Sequence, residues 1–192
     1  MISPHKINWQ IFGEAVEYYE DLGYQYIEVP WRVGPEAIKK TLPSHVDLEI
    51  FNDPINLVGS AEQSFVEMML DGVMPIGKFQ AITPCFRNET VYDDLHQPHF
   101  MKLELINFGE ISDEKLNQMI KDAVGFFKPR VYMNDVQLVQ TNDGFDIEHN
   151  GIELGSYGIR IMMYKRKRFS WIYGTGIAEP RFSFANSILE YK

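Results

Sequence analysis

Two arginines lie in settings that suit the binding of a nucleotide phosphate. Arg87 belongs to the stretch 85–89, just after an apolar run, and Arg181 directly follows the Gly-rich stretch 173–180. A guanidinium is permanently charged and offers a planar fork of N–H donors, so it can bind two phosphate oxygens at once. One such arginine is weak evidence, but two with these neighbours and in this order point to an enzyme that uses ATP.

The glycines before Arg181 predict a turn that leads into a helix-like tail. Gly174 and Gly176 permit a close approach of the backbone to a ligand. The N-terminus of the following helix favours an anion, as does the guanidinium. A Gly-x-Gly turn also simply connects strands to helices, so this pattern alone is weak evidence.

Two predicted strands carry a second set of chemically useful side chains. Arg87 and Glu89 are two residues apart and share a face of an extended chain, and so do Phe100, Lys102 and Glu104. A ring, a cation and a carboxylate on one face supply a surface for base stacking and two polar anchors. A cross-strand salt bridge beside a core phenylalanine explains the same pattern, so both interpretations stay open.

Two further pairs combine a carboxylate with a hydroxyl. Glu153 and Ser156 are three residues apart, and together they can face Mg²⁺, which needs few protein ligands. Ser60 and Glu62 stand at a predicted helix start, where they can hold an ammonium group. The structural alternatives are a surface turn for the first pair and simple N-capping for the second.

Composition and charge narrow the class of protein. The chain has 192 residues, 45% of them hydrophobic and 14% aromatic, which fits one folded domain with a substantial core. The net charge of −9 argues against a surface that attracts nucleic acid everywhere. One local run, 165–168, is basic, and it is interpreted as a solvated turn between strands rather than as a binding patch.

The single cysteine, Cys85, excludes an intrachain disulfide and a Cys-rich zinc site. The five histidines show no metal-ligand spacing. The start of the chain lacks an apolar signal core, and no apolar run is long enough to span a membrane. We therefore expect a soluble, cytoplasmic protein without membrane association.

Periodicity predicts an α+β fold with a mainly antiparallel sheet flanked by helices. Helices are predicted at 7–22, 59–71, 113–127 and 180–191, and strands at 24–29, 79–86, 100–108, 131–141, 159–164 and 169–173.

Taken in order, these segments resemble the catalytic core of class II aminoacyl-tRNA synthetases, with seryl-tRNA synthetases the most similar in appearance. Residues 15–30 resemble motif 1, which builds the dimer interface of the family. Residues 86–89 with 99–104 resemble motif 2, and residues 174–181 resemble motif 3. Residues 60–63 resemble the Thr-x-Glu segment that meets the ammonium of the amino acid. The similarity covers nearly the whole chain.

The resemblance implies a role for each candidate residue in forming an aminoacyl-adenylate and pyrophosphate from ATP and an amino acid. Its implied ATP site consists of Arg87 on the α-phosphate and the reacting carboxylate, Glu89 on the adenine amine, Phe100 stacked on adenine, Arg181 on the γ-phosphate, and Glu153 with Ser156 on Mg²⁺. Its implied amino-acid site consists of Ser60, Glu62, Lys102 and Glu104. The reaction is in-line attack on the α-phosphate, for which no residue acts as a nucleophile.

Departures from the family pattern bear on the acceptor. We expect residues 1–192 to form one catalytic domain, a homodimer with neither an N-terminal tRNA-binding arm nor an anticodon-binding domain. The loop 90–98 is short and carries Asp93 and Asp94, which disfavour phosphate contact. Glu179 stands where the family has a small residue, and it either repels the triphosphate or caps the helix. The acceptor stays open between tRNA, a carrier and another molecule, and the alternative is a non-catalytic paralogue that binds nucleotide or tRNA as a subunit or regulator.

Overall fold

A seven-stranded sheet carries both segments that contain the candidate arginines. The structure is a computed structural model that describes residues 6–41, 56–87 and 92–187. Its strands are β1 Gln25–Tyr26, β2 Arg32–Val33, β3 Asn56–Leu57, β4 Lys78–Phe86, β5 His99–Asn107, β6 Gln137–Gln140, β7 Phe145–His149, β8 Ile152–Tyr164 and β9 Lys167–Glu179. Its α-helices are α1 Trp9–Asp21, α2 Pro35–Thr41, α3 Ala61–Leu70, α4 Asp113–Phe127 and α5 Arg181–Ser187, and 3₁₀ turns cover Lys128–Arg130 and Tyr132–Asn134.

The strand order of the large sheet is β1-β4-β5-β9-β8-β7-β6, and β2 pairs with β3 in a separate small sheet. The short β1 runs parallel to β4, whereas the other described pairings are antiparallel. The predicted fold class, α+β with a mainly antiparallel sheet flanked by helices, is therefore confirmed.

Two apolar clusters cover the two faces of this sheet. Ile172 belongs to the cluster with α1 and α4, whereas its neighbours Trp171 and Tyr173 belong to the cluster with α2 and α3. Successive side chains of a strand point to opposite faces, so the two helix pairs lie on opposite sides. The candidate site lies on the side of α3, because Tyr173 lines it.

Several predicted elements are confirmed, with ends that differ by a few residues. The helices predicted at 7–22, 59–71 and 113–127 correspond to α1, α3 and α4, and the strands at 79–86 and 100–108 correspond to β4 and β5. Polar side chains cap the three helices as their positions suggest, since Asn8, Ser60 and Ser112 each accept a hydrogen bond from the first turn.

The Gly-rich stretch before Arg181 is not a turn, and that prediction is wrong. Gly174 and Gly176 lie inside the long strand β9, between β5 and β8. The strand predicted at 131–141 was also too long. A 3₁₀ turn at Tyr132–Asn134 occupies its first half, and only β6 within this range is a strand. The sequence analysis missed α2, the small sheet, β7 and the first half of β8.

The basic run at 165–168 forms the tip of the β8–β9 hairpin. Lys165 and Arg166 have φ values of 46° and 66°, as a tight two-residue hairpin turn requires. All four side chains are exposed, which agrees with the interpretation as a solvated turn. Within the described ranges, no helix combines the length and apolar character needed to cross a membrane.

Candidate active site

A β-bulge brings Glu153 and Ser156 to one face of β8. In a regular strand, residues three apart point to opposite faces. The pairing of β8 with β7 shifts by one residue at Leu154, so that a single extra residue enters β8. Glu153 and Ser156 consequently line the same cavity.

A second bulge in β9 acts in the same way on the neighbouring strand. The pairing with β5 skips Gly176, and Thr175 and Ala178 consequently both line one cavity. A Cβ on Gly176 would overlap the side chain of Leu103 and would lie 3.0 Å from the ring of Tyr19. The glycine therefore serves close packing under the sheet, rather than the approach of a ligand that the sequence suggested.

Two adjoining cavities lie over these strands. The first, here the Arg181 cavity, has a volume of about 230 Å³, and Arg181 and Phe100 line it. The second, here the Glu62 cavity, has a volume of about 240 Å³, and Glu62 and Glu104 line it. The walls that both cavities share are Arg87, Lys102 and Glu153.

Arg87 stands at the junction of the two cavities, since its side chain lines both of them. Its guanidinium carbon lies 5.6 Å from the centroid of the Phe100 ring, and its backbone N–H donates to the carbonyl of Pro98 at 2.9 Å. No carboxylate of the described residues forms an ion pair with Arg87. Glu89, its predicted neighbour on the adenine, lies outside the described residues.

Arg181, the first residue of α5, points back over the sheet to the bulge. Its Nη1 donates to Oε1 of Glu153 at 3.0 Å, and both side chains are partly exposed. Ser156, the other half of the predicted metal pair, lies opposite Asp146 of β7 in the strand pairing. Burial raises the pKa of Asp146, the interaction with Ser156 lowers it, and the nearby charge of Glu153 raises it. Asp146 is a second carboxylate near this end of the site, and it was not predicted from the sequence.

Alternate residues of β5 place Phe100, Lys102 and Glu104 on the site face, as their spacing predicted. Phe100 and Lys102 line the Arg181 cavity, and Lys102 and Glu104 line the Glu62 cavity. Lys102 Nζ lies 2.8 Å from Oε2 of Glu104, which is almost fully buried. A salt bridge is therefore present, but it forms part of a cavity wall.

Ser60 and Glu62 begin α3 at the edge of the Glu62 cavity. The hydroxyl of Ser60 accepts from the backbone N–H of Glu62 at 3.1 Å, so Ser60 is the N-cap that the structural interpretation expected. Ser60 also lies in the cavity wall, and its role in binding an ammonium group stays a prediction.

Glu62 is buried, and two partners contact the same carboxylate oxygen. Trp171 Nε1 donates to Oε1 at 2.7 Å, and Arg160 Nε lies 3.0 Å from it. Burial raises the pKa of Glu62 to about 7, although Arg160 lowers it, and the negative charge of Glu104 acts in the upward direction. The carboxyl therefore changes its charge near neutral pH.

Glu179 does not face either cavity. It is fully buried, and its carboxylate accepts from Ser183 Oγ at 2.7 Å and from the backbone N–H of Ser183 at 3.4 Å. Burial raises the pKa of Glu179, against these hydrogen bonds. Of the two roles considered for this residue, the structure places it as a helix cap.

Part of the wall of the Glu62 cavity, contributed by β8, β9 and the loop before β7, was not predicted from the sequence. This wall includes Arg160, Tyr173 and Asp143. Tyr173 is two residues before Thr175, so the two side chains share a face of β9. Once this stretch is recognised as a strand, that alternation identifies Tyr173 as a residue of the site face. Arg160 and Asp143 carry no local signal, because only the pairing of distant strands brings them to α3.

The fold is that of class II aminoacyl-tRNA synthetase catalytic domains. A pyrrolysyl-tRNA synthetase from Desulfitobacterium hafniense superposes with a TM-score of 0.68 at 15% identity, over 96% of this chain and 70% of that one. A second structure, of PylSc from the same organism, gives 0.68 at 13% identity, over 93% and 68%. A cytoplasmic serine-tRNA ligase from Naegleria fowleri in complex with AMP gives 0.65 at 17% identity, over 96% and 54%. No protein-family model and no curated protein sequence matches the chain.

Proposed function

We propose that this protein uses ATP to activate an amino acid, forming an aminoacyl-adenylate and pyrophosphate. The observation that carries the proposal is the position of Arg87 between two cavities, one with an aromatic ring and a second arginine, the other with buried carboxylates. Such an arrangement suits a reaction that joins a phosphate to a carboxylate. The shared fold supports the same conclusion.

In this proposal ATP occupies the Arg181 cavity. Phe100 stacks on the adenine, Arg181 binds the γ-phosphate, and Arg87 binds the α-phosphate together with the reacting carboxylate. Holding both reactants on one guanidinium lines up the carboxylate oxygen for in-line attack on phosphorus, and it stabilises the charge that develops there. The contact of Glu89 with the adenine amine remains a prediction.

The residues at the bulge fit Mg²⁺ held together with phosphate oxygens. Glu153 and Ser156 offer oxygen ligands on one face, and Asp146 lies beside Ser156. The described residues contain no group of three or more His, Cys, Asp or Glu that encloses a metal. Mg²⁺ commonly takes one or two carboxylates and completes its shell with phosphate and water, so this sparse set suits it. When bound, the ion would neutralise charge on the triphosphate.

The amino acid occupies the Glu62 cavity. Ser60, Glu62, Lys102 and Glu104 line it, and most of the other described residues in its wall carry polar or charged side chains, with Tyr173 adding an aromatic ring. This mainly polar lining favours an amino acid with a small polar side chain over an apolar one, because the apolar one would leave the polar groups unpaired. The acceptor of the activated group is tRNA, a carrier or another molecule.

The test is ATP–pyrophosphate exchange with each of the twenty amino acids and Mg²⁺. We expect exchange with one of them, and Arg87→Ala should reduce the rate by at least about 100-fold, since it removes the charge at the reacting centre. Arg168→Ala is the matched control, because Arg168 is an exposed arginine near the β8–β9 hairpin tip. Unchanged exchange in Arg87→Ala would overturn the assignment of the site.

A non-catalytic nucleotide-binding paralogue is the second candidate. The short acidic loop favours it, since Asp93 uses its carboxylate to bind the backbone N–H groups of Leu95 and His96 at the mouth of the Arg181 cavity. Calorimetry that detects ATP binding, together with no exchange for any amino acid, would support this candidate.

A further inference from the structure

Arg160 holds the carboxylate of Glu62 from the far side of the cavity. Its Nε lies 3.0 Å from Oε1 of Glu62, and its guanidinium carbon lies 4.7 Å from the centroid of the Tyr173 ring. A guanidinium that stacks on a ring and pairs with a carboxylate has little freedom to turn. The positive charge of Arg160 is therefore held beside Glu62, although its Nε–H makes no hydrogen bond to that carboxylate.

Trp171 fixes the same oxygen from within the core. The indole is fully buried, and its N–H donates to Oε1 of Glu62 at 2.7 Å. Because Arg160 and Trp171 both converge on Oε1, Oε2 is the oxygen that an ammonium group in the cavity would contact.

The charged and titratable groups around Glu62 act in opposite directions. Lys102 and Glu104 face it from β5, Arg160 faces it from β8, and Tyr173 faces it from β9. Burial and Glu104 raise the pKa of Glu62, and among the charged groups Arg160 opposes them most strongly. Lys102 lowers the pKa of Glu62 less than Arg160 does, and its ammonium lies 2.8 Å from Glu104.

We propose that Arg160 is a positioning residue for the amino acid, which keeps Glu62 charged and oriented so that Glu62 can bind the substrate ammonium. This inference rests on the proposed function. Arg160 touches Glu62 rather than the reacting atoms, so its effect is on the binding of the amino acid and not on the binding of ATP.

The first experiment measures the charge of Glu62 without any substrate. The indole N–H of Trp171 donates to that carboxylate, so its NMR signal in ¹⁵N-labelled protein follows the titration of Glu62. The chain has three tryptophans, and Trp171→Phe assigns the signal. We expect a midpoint near 7 in the wild type, as the pKa of Glu62 indicates. Arg160→Met should move it upward by about one pH unit or more, because a buried carboxyl loses a neighbouring positive charge.

Two variants separate charge from folding. Arg160→Lys keeps the charge and should hold the midpoint near the wild-type value, whereas Arg168→Met removes an exposed arginine of the same hairpin and should change nothing. Unchanged signals from Trp9 and Trp31 establish that Arg160→Met is folded. An identical Trp171 midpoint in the wild type and in Arg160→Met would overturn the proposal.

The second experiment uses the exchange reaction and the amino acid identified with the wild type. Arg160→Met should raise the KM for the amino acid by about 10-fold near neutral pH, since Glu62 of the variant is mostly protonated there. The difference in KM between the variant and the wild type should narrow towards a pH of about 8.5, as Glu62 of the variant ionises. The KM for ATP should stay unchanged. An increase in the amino-acid KM that is equal at every pH would overturn the claim that Arg160 acts by keeping Glu62 charged. Absence of exchange in the wild type with every amino acid would instead count against the proposed function, and the indole titration would still decide whether Arg160 keeps Glu62 charged.

Discussion

At the scale of single residues, Glu62 makes the stability of the protein depend on pH. Burial raises its pKa from 4.5 to about 7, so between those values the folded state holds a proton that the unfolded state releases. Stability consequently falls as pH rises through this range. The usual carboxylate, whose pKa is lowered on folding, has the opposite dependence.

Glu62→Gln should therefore stabilise the protein relative to the wild type at high pH. The amide keeps an acceptor for Trp171 and carries no charge to bury. From the size of the pKa shift, we expect the free energy of unfolding to increase by up to about 3 kcal/mol near pH 8. This gain nearly vanishes below a pH of about 4.5, where the wild-type carboxyl is protonated in both states. The unpaired guanidinium of Arg160 reduces the gain. Urea unfolding at several pH values measures the difference.

The matched control for that measurement is Glu36→Gln. Glu36 is an exposed residue of α2 whose carboxylate lies 4.0 Å from Lys39 Nζ, so its replacement should have little effect at any pH. A stability difference for Glu62→Gln that does not change between acidic and alkaline conditions would contradict the titration of Glu62 near neutral pH.

At the scale of elements, the bulge at Gly176 determines which residues of β9 face the site. Gly176→Ala places a methyl group against Leu103 and Tyr19 under the sheet. We expect a loss of about 1–3 kcal/mol in the free energy of unfolding, because a packed core accommodates extra volume poorly. Gly13→Ala in α1 is the control, since the added carbon lies more than 4 Å from every atom outside its chain neighbours and the adjacent helix backbone, and it should stabilise by about 0.5–1 kcal/mol. Equal effects of the two substitutions on urea unfolding would show that Gly176 is not held by packing.

The same elements show how far local sequence determines structure. The helix α1 was predictable, because its buried residues recur at helical spacing. The face of Phe100, Lys102 and Glu104 was also predictable, since alternation along a strand requires no knowledge of its partners. The Gly-rich stretch was not, because glycines there accommodate side chains of neighbouring elements, and a single sequence does not show which elements those are.

The cavity walls illustrate the same limit. Arg160 and Glu62 are far apart in sequence, and their contact depends on the register of β8 against β9 and on the packing of α3 over the sheet. Family resemblance indicated Glu62, Ser60 and Arg181 as candidates. It did not indicate the guanidinium that contacts Glu62, since no motif includes it.

At the scale of the whole molecule, exposed apolar side chains lie next to the segment that resembles a dimerisation motif. Trp31 follows residues 15–30 directly and is 51% exposed, and Leu57 on the adjoining strand β3 is 49% exposed. The backbone of Val58 donates to the carbonyl of Trp31, so the two segments form one surface. Large apolar and aromatic side chains clustered in this way are typical of protein interfaces.

We therefore predict a homodimer with Trp31 in its interface. Light scattering should give twice the chain mass of 22.3 kDa, and Trp31→Glu should reduce the mass to that of one chain, because an unpaired charge in an apolar contact is strongly unfavourable. Met133→Glu is the control, since Met133 is 78% exposed in the turns that follow α4, the helix on the opposite face of the sheet from α3. If the wild type has the mass of a single chain at micromolar concentration, the dimer is wrong. If it is dimeric and Trp31→Glu remains so, the interface lies elsewhere, and the exposed tryptophan serves another contact.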